Sequence, residues 1–140
     1  MNLSQIKEEV MFQTNNDQDD LEDFLPYLEG YINDGYDRLV YAYARVHVSE
    51  DEETFTPLKN DRAVPELPTW THRGIVDYAT YLVYRNGSTQ KQQRGREYLN
   101  RFMEIENRLN SMTDAEKGLG DEEGNSVVTR FGRYFINIPK

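Results

Sequence analysis

Two amphipathic helical patterns separated by only two residues constrain this chain more than any other feature. In "RNGSTQKQ" the first pattern ends at Gly87 and the second opens at Thr89, so Gly87 and Ser88 make the whole connection. A link that short joins helices as an antiparallel hairpin. The first member carries Trp70, Ile75, Ala79, Leu82 and Val83 as one stripe, with Pro68 suited to its first turn. The second presents Tyr98, Leu99, Phe102, Ile105, Leu109 and Met112. Thr89 and Gln92 have capping-box spacing at its start, and Gly95 sits where the absence of a side chain allows close approach.

Two further helices precede the hairpin. Leu3, Ile6, Val10 and Met11 recur at helical spacing and predict a first helix over Leu3 to Thr14, broken by "TNNDQDD". Asp17, Asp19 and Asp20 are suited to capping the next helix and to its positive N-terminal dipole. The second helix is expected to be long. Its stripe is Leu21, Phe24, Leu25, Leu28, Ile32, Leu39, Ala42 and Val46, and it runs to about Val48. Pro26 predicts either a kink or a true start near Leu25, because an interior proline removes a hydrogen bond and clashes with the preceding turn. Residues Ser49 to Pro68 are acidic and carry three prolines, and so read as a long connecting loop; loops of this length are usually functional or mobile.

Beyond Met112 the pattern changes. "TDAEKGLGDEEGNS", residues 113–126, holds three glycines and five acids and reads as a flexible linker. The closing "VVTRFGRYFINIPK", residues 127–140, has the composition of a half-buried strand in a chain that is otherwise helical. Burying its seven larger apolar side chains does no more than offset the entropy of ordering its backbone, and an isolated hairpin is marginal in water. The segment therefore reads as a docking arm that pairs with a strand edge on another chain, through Val127, Val128, Phe131, Tyr134, Phe135, Ile136 and Ile138. The expected architecture is an all-α bundle of about four helices over residues 1–112, with a long second helix and an antiparallel third and fourth, then the linker and an extended β-type C-terminal arm.

Charge is segregated along the chain. Residues 1–66 carry net −11, residues 67–112 net +3 and residues 113–140 net −1, for a total of −9. Such polarity helps one copy dock on the next, and it opposes a phosphate-tracking nucleic-acid binder, whose affinity rests on clustered Lys and Arg. The chain has no cysteine and only two histidines, His47 and His72, so disulfide, thiolate and ordinary zinc chemistry are not expected. No window has the apolar length of a membrane span, and the opening residues lack the pattern of a signal peptide, so a cytoplasm-like compartment is expected.

No catalytic, metal or cofactor constellation emerges. The stretch "EVMFQTNNDQDD" lacks the central glycine and terminal glutamate of a calcium loop. "GLGDEEG" has neither a strand before it nor the lysine of a phosphate loop. His72 reads as a structural helix residue. Ten tyrosines, several of them off the main stripes, such as Tyr41 and Tyr81, suit either core margins or a protein interface. Arg85, Lys91, Arg94 and Arg96 cluster around the hairpin turn and read as a partner-docking patch.

The stretch "LPTWTHRGIVDYATYLVYRNGSTQKQQRG", Leu67 to Gly95, resembles the helical hairpin of tailed-bacteriophage head-tail connector proteins, also called adaptor or head-completion proteins. "DDLEDFLPYLEGYINDGYDRLVYAY" before it is similar to their long second helix, and together the two cover about two fifths of the chain. The resemblance implies a non-enzymatic virion protein, assembled in the host cytoplasm and located at the neck. It would form a dodecameric homo-oligomeric ring on the portal protein, extend the DNA channel and dock the tail or stopper protein. DNA would pass through without sequence-specific binding, with no cofactor and no membrane. The competing expectation is a small helical regulatory or scaffold protein that binds a soluble cytoplasmic partner through the same arm.

Overall fold

The computed structural model describes residues 1–21 and 23–119. Five α-helices and three short 3-10 turns make up the regular structure of these residues, and no strand occurs among them. Helix α1 (Leu3–Thr14) leads through a 3-10 turn (Asn15–Asp20) to a second turn (Leu25–Tyr27) and α2 (Leu28–Ala44). An irregular loop then reaches α3 (His72–Arg85), entered by a 3-10 turn (Thr69–Thr71), followed by α4 (Thr89–Ser111) and the single-turn α5 (Asp114–Lys117). The all-α expectation holds. The arm over residues 127–140 lies outside the described residues, as do Val127, Val128, Phe131, Tyr134, Phe135, Ile136 and Ile138.

α3 is the central element, packed against α1, α2 and α4, with the tightest pairing to α4. A helix with neighbours on three sides must be apolar around most of its girth, and α3 buries Ile75, Val76, Ala79, Leu82, Val83 and Tyr84. Trp70 departs from the expected stripe. It falls in the entry turn and stays 37 % exposed, with the Arg108 guanidinium 4.3 Å from its ring centre. The hairpin is antiparallel and close, because Gly95 of α4 faces the backbone of α3: a β-carbon there would lie 2.8 Å from Tyr84 Cβ. Gly35 of α2 plays the same part, at 3.1 Å from Tyr78 Cβ.

Two helix starts differ from expectation in instructive ways. Pro26 sits inside the three-residue turn before α2, where its missing N–H and fixed φ cost nothing, so α2 begins after it without a kink. Leu25 is accordingly exposed while Phe24 and Leu28 are buried. At the start of α4 the cap is Ser88, whose hydroxyl accepts the Lys91 N–H at 3.4 Å. Gln92 does not close a capping box with Thr89. It reaches back to the last carbonyls of α3, donating to Arg85 O at 3.3 Å and Gly87 O at 3.2 Å.

α2 is shorter than the pattern predicts. It stops at Ala44, with Arg45 in the left-handed region (φ 59°) and its N–H returned to Tyr41 O at 2.9 Å. What turns the chain is Asp37, whose carboxylate accepts the Val48 N–H at 2.8 Å and faces His47 Nδ1 at 3.1 Å. The loop after it is packed along α2. Asn33 accepts the Leu58 N–H at 2.7 Å and donates to Leu58 O at 3.0 Å, so one side chain imitates a backbone partner. The Glu66 N–H donates to Tyr36 Oη at 3.0 Å, and Phe55, Leu58 and Leu67 are buried.

The same loop caps α1. Its Ala63 and Asp61 carbonyls accept the Leu3 and Ser4 N–H groups at 2.8 and 3.1 Å, satisfying donors that a helix start leaves orphaned. Phe55 adopts φ 57°, a strained conformation for an aromatic residue, and is held by its buried ring and by its N–H to Glu66 Oε2 at 2.9 Å.

The expected linker also starts as structure. Thr113 and Glu116 form a capping box, and Gly118 takes the left-handed C-terminal position at φ 80°. Lys117 donates to Ala42 O at 3.1 Å, Tyr43 Oη donates to Lys117 O at 2.9 Å, and Leu119 is buried. Residues 113–119 are therefore docked on the C-terminal end of α2, where a lysine complements the helix dipole. Glu116 and Gly118 thus supply the cap and the stop, and residues 120–126 of the expected linker lie outside the described residues.

Candidate partner interface

The basic patch at the hairpin turn divides into two pairs. Lys91 and Arg94 both pair with Asp17, in the 3-10 turn after α1, Lys91 from within and Arg94 from the surface. Lys91 Nζ pairs with one Asp17 oxygen, Arg94 Nη1 lies 2.6 Å from both, and Tyr84 Oη donates to the carboxylate at 2.7 Å. Hydrogen bonds from Arg94, Lys91 and Tyr84, in that order of effect, hold the Asp17 carboxyl well below the usual carboxylate range. The Tyr84 hydroxyl moves up, chiefly through burial and then through Asp17. Lys91 is thus a buried clamp, while Arg94 meets the same carboxylate from the solvent side, with its side chain 57 % exposed. Asp17 fastens the α1 connection to the hairpin and does not cap α2, which has no side-chain cap.

Arg85 and Arg96 remain on the surface. Arg85 acts electrostatically on Asp34, a carboxyl raised mainly by burial, further by Asp37, and lowered by Arg85. Arg96 has no ion pair, hydrogen bond or ring contact among the described residues.

Asn86 belongs to the same end of the bundle and helps to line a feature that sequence reasoning missed. Asp23, Tyr27, Tyr31 and Asn86 line an open cleft of about 240 Å³. The two tyrosine rings stack at 6.4 Å and 25°, and Asn86 Nδ2 donates to Tyr31 Oη at 3.1 Å, which fixes the inner ring. Tyr27 is 61 % exposed. Asp23 Oδ1 accepts the Leu25 N–H at 3.1 Å, which orients the carboxylate at the mouth. The tyrosines were visible as off-stripe aromatics; their meeting with Asn86, 55 residues beyond Tyr31, was not.

The two histidines take up structural positions. His47 stacks on Tyr41 at 4.9 Å. His72 is buried, with Nε2 3.0 Å from Leu67 O and Nδ1 3.0 Å from the Met1 amino group. The geometry fits a neutral ring that donates from Nε2. Burial, more than any neighbouring charge, moves its pKa below the ordinary 6.5. The folded state therefore binds fewer protons at His72 than the unfolded state does, and stability is lost as pH falls below about 6.5. Urea unfolding between pH 7.5 and 5 is expected to show this loss, at no more than about 1.4 kcal/mol per pH unit. His72→Gln, which keeps a donor for Leu67 O, should flatten the profile, and an equally steep profile in that variant would exclude His72 as its source.

Among the described residues no group of three or more His, Asp or Glu could hold a metal ion, and no helix is long and apolar enough to cross a membrane. Compared with family models, curated proteins and solved structures, the chain matches none.

Proposed function

We propose that this protein is a structural virion component, a head-tail connector that forms a dodecameric ring on the portal, extends the DNA channel and docks the tail or stopper protein at the virion neck. The observation that carries this reading is the hairpin. Leu67 to Gly95, the stretch whose sequence resembles that of connector proteins, covers the entry turn, all of α3 and the start of α4, closed by the three residues Asn86, Gly87 and Ser88 and drawn together at Gly95. Charge supports it as well. An acidic chain adds little attraction for DNA phosphates, which suits a channel wall that DNA must slide past.

The test is reconstitution with the portal protein encoded alongside it. Native mass spectrometry and negative-stain images of the mixture should give a stoichiometric portal complex capped by a second ring. Binding to neither portal nor any neck protein would overturn the assignment, and a gene neighbourhood without capsid, portal or tail genes would favour a helical regulatory or scaffold protein.

A further inference from the structure

The cleft of Asp23, Tyr27, Tyr31 and Asn86 has the chemistry of a cation receptor. Two stacked tyrosines provide π faces that attract a guanidinium. A carboxylate at the mouth, oriented through one oxygen by the Leu25 N–H, can take a charge-assisted hydrogen bond from the same group. Arg85, next in sequence to Asn86, does not line the cleft and acts on Asp34.

Four of the six arginines of the net-positive segment, residues 67–112, are held by partners within the chain. Arg73 pairs with Glu9 at 2.9 Å and Arg94 with Asp17. Arg101 lies over Tyr98 and Arg108 over Trp70. Arg85 and Arg96 are the two with no such partner among the described residues, and of these Arg85 exerts its charge on Asp34 of its own chain, which leaves Arg96. Its neighbour Gly95 is the inward contact of α4, which leaves Arg96 exposed.

We infer that Arg96 of a second copy of this chain seats its guanidinium in the cleft, between Tyr27 and Asp23. The cleft lies in a segment of net −11 and Arg96 in one of net +3, so the contact is complementary in charge. Cleft and arginine are different patches, so the contact is head-to-tail, the kind that closes into a ring when its rotation permits. The inference deepens the connector reading and rests on it for the ring, but not for the pairing of the two sites.

Sedimentation velocity of the full chain over a concentration series at low and moderate salt tests it. The wild type is expected to self-associate, more strongly at low salt. R96E and D23R should each weaken association about tenfold or more, with unchanged helical circular dichroism because both residues are exposed. Combining D23R with R96E, which restores opposite charges across the contact, should recover much of the loss. A wild type that stays monomeric at high micromolar concentration would overturn the inference. So would association indifferent to R96E, or a double variant no better than the singles. Loss of association in D23R but not in R96E would mean that the cleft receives a different cation of the second copy, and would overturn the assignment to Arg96. Portal binding assayed on the same variants separates the two conclusions: self-association without portal binding removes the connector reading and leaves the cleft pairing intact, and portal binding by a chain whose association ignores R96E does the reverse.

Discussion

Phe102→Ala is expected to lower the free energy of unfolding by about 3–5 kcal/mol. Phe102 is fully buried on α4, its ring centre 4.6 Å from that of Tyr78 on α3. The Arg38 guanidinium of α2 lies 5.0 Å from the same ring and is held by Glu106, through Nε at 3.0 Å and Nη2 at 2.8 Å. One side chain thus ties three helices. Truncation removes its transfer free energy and leaves a cavity among neighbours that cannot all collapse inward. Urea titration should move the midpoint down with little change in slope. A cost below about 1 kcal/mol would mean that the three-helix junction repacks around the gap.

Asp17→Ala should cost about 2–4 kcal/mol at neutral pH, because it removes one acceptor shared by the Tyr84 hydroxyl and two cations. The Arg94 contact faces solvent and adds little; most of the loss comes from the Tyr84 and Lys91 contacts. Asp17 has its carboxyl depressed in the fold, so its contribution is full above the ordinary value of 3.8 and is lost as pH falls below it. The gap between wild type and variant is therefore expected to close in acid. Hydrogen exchange should show the loss first over Asn15–Asp20, the turn that Asp17 anchors. A variant as stable as wild type at pH 7 would show that the turn holds without its clamp.

The helices were legible where local rules decide them. α1 begins and ends at the residues its spacing predicts, the short connection through Gly87 and Ser88, one residue longer than expected because α3 stops at Arg85, forces the hairpin, and Gly95 marks the close crossing. Each depends on neighbours within a turn or two, which periodicity and connection length report directly. The departures share a different cause. The end of α2 was misread because Val46 and Val48 continue the apolar pattern, whereas Asp37 redirects the chain by accepting the Val48 N–H. The loop of residues 49–68 carries the composition of a mobile connection, yet Asn33 and the start of α1 both bind its backbone.

The patch at the hairpin turn gives the clearest division. Its composition was plain in the sequence, as four cations around one turn. Which of them could meet a partner was not, because Lys91 and Arg94 lie 74 and 77 residues from Asp17. The same holds for the tyrosine cleft, assembled from the entry to α2 and the end of α3. By itself the sequence determined an all-helical bundle, its hairpin and its segregated charge, since these follow from periodicity, connection length and composition. Only the tertiary structure decided which charges are paired within the fold and which stay exposed, because a charge's role depends on what packing brings within a few ångströms of it.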